Sequence, residues 1–239
     1  MQQKHLSVIG IAGVVAEGDY SDILLFWRAE STTMSADDCY GTNATWSAEV
    51  DYGTTEIVEA AAKVGTYGVH VAAGETSKQS GYKLVVDTED VVVTSAGRIG
   101  FWVKINTWVN FSGLFAVSDS GDPIKFVMTI LSDDEVRASY GGTLLASTSA
   151  NLSTATWYFI EVAYDASIGD GEDYMEVFVD GSSVASSSAL TLAPFTPTFV
   201  RVGNPIARSN YSWYIDHFMI SNDKTRNLYA LRNTTACPN

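Results

Sequence analysis

Two stretches that alternate bulky and polar side chains, residues 157–164 and 174–180, flank one short acidic loop, and they constrain the fold more than any other feature. A period of two indicates β-strands with one buried face. The second stretch ends in Asp180-Gly181, a dipeptide that accepts the positive φ angles of a tight hairpin turn. The pattern therefore predicts a meander of antiparallel strands rather than a helix or a βαβ unit.

The rest of the chain continues this pattern, with about a dozen short strand candidates separated by Gly, Asp and Ser. Only residues 55–62 (TEIVEAAA) are a helix candidate, and they could equally form a strand that ends in alanines. This number and spacing of strands predict an all-β fold: a two-sheet antiparallel β-sandwich of the jelly-roll type.

Composition limits the classes of partner. The 239 residues are 46% hydrophobic and 18% charged, which suits one large sandwich. The formal net charge of −14 repels phosphate backbones, so we expect no nucleic-acid partner. No run approaches the roughly 20 apolar residues of a membrane span. The acidity has two interpretations, a soluble surface or loops that bind calcium.

The chain divides into three segments. Residues 1–20 are predicted to be a first strand or an arm that packs on a neighbouring subunit, so we expect an oligomeric or assembly-bound protein. Residues 21–222 form the predicted jelly-roll domain, and residues 223–239 form a C-terminal tail. Cys39 and Cys237 could form a disulfide or remain free thiols, and the sequence leaves both possibilities open.

Six strand motifs occur in a characteristic order: KVGTYGVHV, RIGFWVKI, GLFAVSDS, TWYFIEVAYD, YMEVFVDG and SWYIDHFMIS. This succession, over about residues 23–221, resembles the laminin-G-like branch of the concanavalin A-like jelly rolls. The resemblance implies the fold. It leaves the function wide, because this superfold hosts lectins, adhesion modules, hydrolases, lyases and virion proteins.

Acidic loops suggest a structural calcium ion, because calcium prefers hard oxygen ligands. Asp165, Asp170 and Asp173 lie in or beside one predicted hairpin loop. The resemblance adds Asp216, which matches a position where relatives often have an acidic residue near an ion. The competing interpretation of each loop is an ordinary solvated acidic turn.

Aromatic side chains beside polar ones suggest a sugar platform, since rings stack on the apolar faces of pyranoses. Residues 209–214 (SNYSWY) are dense in both kinds of side chain. The predicted ligand-binding residues are Trp108, Tyr140, Asn210, Tyr211 and Trp213. For each ring the competing interpretation is a place in the core, which we also assign to Trp157.

Catalytic signatures are weak. Glu172 and Glu176 come nearest to the Glu-x-Asp-x-x-Glu motif that the resemblance would imply for a glucanase, and they do not match it. His70 and His217 lie inside strand candidates and are expected to be structural.

We therefore expect a non-catalytic, surface-displayed jelly roll that binds glycans or decorates a virion or extracellular assembly, with a glycan or other subunits as partners. A carbohydrate-active enzyme, either a hydrolase or a lyase, is the alternative. A purely structural assembly protein is a third possibility.

Overall fold

The structure is a computed structural model, and it describes residues 22–28, 30, 38–40, 45–50, 54–73, 80–85, 96–107, 112–118, 124–130, 135–140, 143–144, 152–167, 171–192, 198–204 and 211–234. Sixteen strands lie within these residues: β1 (Ile23–Trp27), β2 (Asp38–Tyr40), β3 (Thr45–Val50), β4 (Thr54–Val58), β5 (Gly68–Ala73), β6 (Ser80–Val85), β7 (Ala96–Thr107), β8 (Ser112–Ser118), β9 (Ile124–Ile130), β10 (Val136–Tyr140), β11 (Thr143–Leu144), β12 (Trp157–Asp165), β13 (Asp173–Val179), β14 (Ser182–Leu190), β15 (Phe199–Asn204) and β16 (Tyr211–Ser221).

The strands form two antiparallel sheets that pack face to face. The nine-stranded sheet has the order β14-β13-β12-β7-β16-β1-β2, and β5 pairs with both β16 and β4. The seven-stranded sheet has the order β11-β10-β9-β8-β15-β6-β3. Strands that are distant in sequence lie side by side in both sheets, as in a jelly roll. The predicted all-β sandwich is confirmed.

Strand β7 shows how alternation builds the core. Ile99, Phe101, Val103 and Ile105 point between the sheets and are fully buried. Each such side chain contributes about 1.5–3 kcal/mol when it leaves water. The even-numbered residues of β7 point to the opposite, outer face of the nine-stranded sheet, where the candidate site lies.

Strand β16 carries a β-bulge between its two halves. The first half pairs with β5 from Tyr211 to Ile215, and the second half pairs with β1 from Phe218 to Ser221. At the bulge the register with β7 shifts and His217 has a φ of 48°. Because one extra residue is inserted there, both Asp216 and His217 belong to the outer face.

The predicted tight turn between β13 and β14 is present. Asp180 and Gly181 have φ angles of 49° and 77°, the left-handed pair that a two-residue hairpin needs. The carboxylate of Asp180 also accepts a hydrogen bond from the Phe159 amide at 2.9 Å, which ties the turn to β12.

The helix candidate at residues 55–62 forms mainly a strand, which was the second interpretation of its sequence. Residues Thr54–Val58 are strand β4, and only Glu59–Ala61 form a single 3₁₀ turn. Strand β4 pairs with β5 along its whole length, from Thr54 to Val58. This pairing decides in favour of a strand rather than a helix. In the described part of the chain, no helix is long and apolar enough to cross a membrane.

Residues 222–234, which we call the C-terminal segment, cross the outer face of the nine-stranded sheet. Leu228 and Leu231 from this segment complete a second apolar cluster with Ile23, Phe26, Trp102, Phe159 and Met219. The indole of Trp102 donates a 2.8 Å hydrogen bond to the carbonyl of Arg232. The segment that we assigned to a tail is thus packed on the sheet as far as Thr234.

Candidate functional site

The C-terminal segment divides the outer face of the nine-stranded sheet into three zones, and β7 passes through all of them. Arg98 lies in an open pocket at one end, Trp102 lies beneath the segment, and Lys104 lies on an open surface at the other end. Six residues of extended chain separate the two open zones by roughly 20 Å. The sheet therefore offers two separate surfaces to a ligand.

At the open end, five outward-facing residues are direct cross-strand neighbours on five adjacent strands. Glu56 pairs with His70, His70 with Tyr214, Tyr214 with Lys104, and Lys104 with Trp157. We call this set the cross-strand row. All five side chains are partly or fully exposed. Because the strand register fixes their order, the row is a preformed surface on a rigid sheet.

The side chains of the cross-strand row contact one another. The ammonium group of Lys104 lies 4.5 Å from the ring centre of Tyr214 and 5.3 Å from that of Trp157. The imidazole of His70 meets the Tyr214 ring edge-on at 4.9 Å, and its Nδ1 lies 3.0 Å from Oε1 of Glu56. Within the described residues Lys104 has no carboxylate partner, so its charge is available to a ligand.

This geometry suits a sugar chain. Trp157 and Tyr214 are two strands apart, which places their backbones roughly 10 Å from each other. That span is comparable to the length of a disaccharide. Rings can stack on sugar faces, while Lys104, Glu56 and the adjacent Asn106 supply donors and acceptors for hydroxyl groups.

The pocket at the other end has a volume of about 420 Å³. Its floor is the outward face of β13, where Tyr174, Glu176 and Phe178 alternate with core residues. Its remaining lining residues come from the start of β7, the loop before β13, strand β14 and the C-terminal segment: Arg98, Glu172, Ser188, Lys224 and Thr225.

Both cations of the pocket are already paired. Nε of Arg98 donates to Oε1 of Glu161 at 2.9 Å, and the guanidinium lies 4.1 Å from the ring centre of Phe178. The ammonium group of Lys224 binds the carboxylate of Asp165. The two pairs hold β7, β12 and the C-terminal segment together at this end of the sheet.

Two carboxyl groups beside the pocket have shifted pKa values. Burial raises the pKa of Glu161, although Arg98 and backbone amides of the C-terminal segment partly offset that effect. The pKa of Asp165 is lowered: its own burial opposes ionisation, but hydrogen bonds from Lys224 and Ser167 outweigh it. Asp165 is therefore held as the anion that Lys224 needs.

The residues predicted to bind sugar do not form a platform within the described chain. Tyr140, Tyr211 and Trp213 are 1%, 2% and 0% exposed, and all three belong to the core between the sheets. Buried rings cannot stack on a sugar, so this part of the predicted set is corrected to a structural role. Trp108 and Asn210 lie outside the described residues and stay predictions.

Three of the predicted metal ligands, Asp165, Asp173 and Asp216, already accept hydrogen bonds from other groups of the protein. Asp216 accepts the amides of Lys63 and Val64, each at 2.8 Å, and Asp173 accepts the amide of Leu192 at 2.7 Å. Asp165 faces outward from β12, whereas Asp173 faces the core. Because these carboxylates are dispersed and engaged, they do not fit one calcium site together.

Calcium binding nevertheless stays an open prediction. In the part of the chain that the structure describes, no three acidic, histidine or cysteine side chains converge on one point. Asp170, the fourth predicted ligand, lies outside that part, and so does Cys237 of the possible disulfide.

Sequence reasoning missed most of the cross-strand row, although the signal was present. On β16, Tyr211, Trp213 and Ile215 share one face, so Tyr214 must face the other. On β12, Ile160 and Val162 mark the buried phase, which places Trp157 outside with Glu161. The core role that we assigned to Trp157 is therefore corrected: its side chain is partly exposed on the outer face, where it also packs against the second apolar cluster.

A family model with the description "Concanavalin A-like lectin/glucanases superfamily" matches residues 77–226, more than half of the chain. The chain belongs to this superfamily, in a laminin-G branch. The predicted resemblance is confirmed. The match starts just before β6 and ends within the C-terminal segment, so it includes the strands that form most of the pocket.

Solved structures with the same fold include receptor-binding domains of botulinum neurotoxins. The serotype G binding domain has a TM-score of 0.62 at 14% identity over 87% of this chain and 51% of that one. The C/D mosaic domain has a TM-score of 0.64 at 15% identity over 88% and 51%. The serotype D domain, in complex with N-acetylneuraminic acid, has a TM-score of 0.61 at 14% identity over 87% and 49%.

The chain thus spans about half the length of these solved domains. At this level of identity the likeness shows the fold alone. No curated protein matches the sequence significantly.

Proposed function

We propose that this protein is a non-catalytic, carbohydrate-binding jelly roll that holds an oligosaccharide on the outer face of its nine-stranded sheet. The observation that carries the proposal is the cross-strand row, in which Trp157 and Tyr214 lie on either side of Lys104. Partly exposed rings beside polar groups on a rigid sheet are the chemistry of sugar recognition.

Two further facts support this proposal. The superfamily description names lectins, and one structural neighbour was solved with a bound sugar acid, N-acetylneuraminic acid. In this chain Lys104 is the cation that could donate hydrogen bonds to the carboxylate of an acidic sugar. Neutral sugars could use the same rings with hydrogen bonds to Glu56 and Asn106.

The enzyme alternative has less support from the geometry. Glycosidases place two carboxyl groups about 5–5.5 Å apart when they retain configuration and about 6.5–9.5 Å apart when they invert it. Glu172 and Glu176 are four residues apart on an extended chain, which separates their backbones by roughly 13 Å. Tyr174 lies between them in the sequence, and its hydroxyl donates a hydrogen bond to Glu176. We therefore assign these carboxylates no catalytic step.

A glycan array followed by calorimetry tests the proposal. The best glycan is titrated into the unmodified protein and into Trp157→Ala and Tyr214→Ala. We expect each substitution to weaken binding about tenfold or more, because buried aromatic contacts dominate such interfaces. Phe199→Ala, a partly exposed ring on the other sheet, serves as the control and should keep the affinity. Equal loss in all three variants, or no glycan bound, refutes the proposal.

Display on a virion or extracellular assembly is the second half of the proposal. It is supported by the acidic composition, with a formal net charge of −14, and by the absence of an enzyme signature in the sequence. Mass and hydrodynamic size, measured with and without a calcium chelator, test it. A large assembly that persists in chelator supports display, whereas a monomer that chelator destabilises supports a calcium-bound lectin module instead.

A further inference from the structure

The pocket on β13 has an unbalanced charge. Arg98 and Lys224 are its two cations, and each has its own carboxylate partner, Glu161 and Asp165. The carboxylates of Glu172 and Glu176 remain. Among the described residues, neither one forms an ion pair, and Glu176 accepts only the Tyr174 hydroxyl. The open volume of the pocket is therefore negative, on a protein that is itself acidic.

The pocket is also aromatic in a definite pattern. Tyr174, Glu176 and Phe178 are alternate residues of β13, so they stand on one face with the carboxylate between the two rings. Successive positions of this kind are roughly 7 Å apart. Ser188 of β14 and Thr225 of the C-terminal segment add hydroxyl groups to the lining. Rings, hydroxyl groups and a carboxylate within about 420 Å³ suit a ligand of one or two sugar rings.

We propose that this pocket is a second binding site, distinct from the cross-strand row, and that it takes an amino sugar through its ammonium group. Glu176, between the two rings, accepts the hydrogen bonds of the ammonium, Glu172 adds negative charge to the pocket, and the sugar ring rests against Tyr174 and Phe178. Ionised hydrogen-bond partners are stronger than neutral ones, and a cation near an aromatic ring gains further stabilisation.

The same charges define what the pocket rejects. A carboxylate-bearing sugar would face Glu172 and Glu176 with no unpaired cation to offset the repulsion. An N-acetylated amino sugar keeps the ring but loses the positive charge. The pocket should therefore bind the free amine in preference to the acetamide, and it should exclude sialic acids.

The test compares two trisaccharides that differ only in acetylation, the glucosamine trimer and the N-acetylglucosamine trimer. Both are titrated calorimetrically at about pH 6, below the pKa of a typical amine. We expect the glucosamine trimer to bind about tenfold more tightly, and its affinity to fall as salt is added. Equal affinity for both trimers, or no binding of the glucosamine trimer, overturns the proposal.

Matched variants locate the interaction. Glu172→Gln combined with Glu176→Gln should weaken binding of the glucosamine trimer about tenfold, because the shape of the pocket stays the same while its charge is lost. Glu59→Gln removes one exposed carboxylate outside the pocket and should have no effect. Backbone amide shifts in the NMR spectrum should cluster at Ser188 and Thr225. Shifts confined to other surfaces refute the site even if binding is seen.

This inference can fail separately from the proposed function. Loss of glycan binding in the Tyr214→Ala variant bears on the cross-strand row alone. A change in glucosamine affinity on removing Glu172 and Glu176 bears on the pocket alone.

Discussion

Replacing Asp216 by asparagine should lower the free energy of unfolding by more than a typical surface substitution does. The reason is that both oxygens of its carboxylate accept hydrogen bonds. Oδ2 accepts the amides of Lys63 and Val64, each at 2.8 Å. Oδ1 accepts the amide of His217 at 2.7 Å and lies 3.0 Å from its Nδ1. An asparagine keeps one acceptor oxygen and turns the other into an NH₂ donor. If the NH₂ group takes the place of Oδ2, the amides of Lys63 and Val64 face another donor; if it takes the place of Oδ1, the backbone amide of His217 does.

The magnitude follows from the burial of the site. Asp216 and His217 are 0% exposed, whereas the Lys63 end of the network reaches the surface. A buried donor without an acceptor costs about 1–3 kcal/mol. With at least one buried donor left without an acceptor, we expect a loss of about 1–3 kcal/mol in the free energy of unfolding. For a chain of this size, that is roughly 2–12 °C in melting temperature.

Urea and thermal unfolding, followed by circular dichroism, measure this loss. Asp180→Asn is the matched control, because Asp180 uses only one oxygen and its φ of 49° suits asparagine, so it should change stability by less than about 0.5 kcal/mol. We expect the deficit of Asp216→Asn to be the same with calcium or with chelator. A deficit below about 1 kcal/mol would contradict the hydrogen-bond argument, and a deficit that vanishes in chelator would assign Asp216 to a metal.

Two further predictions concern stability. Gly181→Ala should lower the free energy of unfolding by about 1–3 kcal/mol, because φ is 77° and a Cβ would lie 2.8 Å from the Tyr229 ring. Gly171→Ala is the control, because its φ of 80° is similar but a Cβ there would meet open space. An equal loss of stability in thermal melts of both variants would rule out the clash with Tyr229. Asp165→Asn should lower stability at neutral pH by up to about 1 kcal/mol, since its pKa is lowered in the folded state by Lys224. That contribution is present above the ordinary carboxyl pKa of 3.8 and disappears as pH falls below it. Urea titrations at several pH values should therefore show the two proteins converging in acid, and a gap that stays constant with pH would contradict the prediction.

The architecture could be predicted because local patterns agree with the fold at most positions. Alternation in β12 and β13 marks strands, and Asp180-Gly181 marks their turn, without any long-range information. The helix candidate at residues 55–62 could not be settled in this way. Its alanines favour a helix, but pairing with β5 overrides a weak local preference.

The candidate site was harder to predict because it depends on strand phase and strand pairing. Residues 209–214 were singled out as a sugar platform, yet within strand β16 Tyr211 and Trp213 face the core, whereas Ser212 and Tyr214 face outward. The sequence could have shown which residues of β16 face the core, because the apolar Ile215 shares a face with Tyr211 and Trp213. The row itself could not, because the proximity of Tyr214, Lys104 and Trp157 requires the register of three strands from distant parts of the chain.

The C-terminal segment is another feature that the sequence left undefined. Its mixture of polar residues and two leucines resembles an ordinary tail. Its place becomes evident only from the outer face of the sheet, where Trp102 and Phe159 would otherwise form an exposed apolar patch.

The most direct test of the central claim is fluorine NMR of protein labelled with 5-fluorotryptophan. The chain has six tryptophans, and Trp→Phe variants assign their resonances. When the oligosaccharide selected by the array is added, the resonance of Trp157 should shift, while those of the buried Trp27 and Trp213 should not. If the glycan binds and the Trp157 resonance does not move, the sugar lies elsewhere and the cross-strand row is not the binding site.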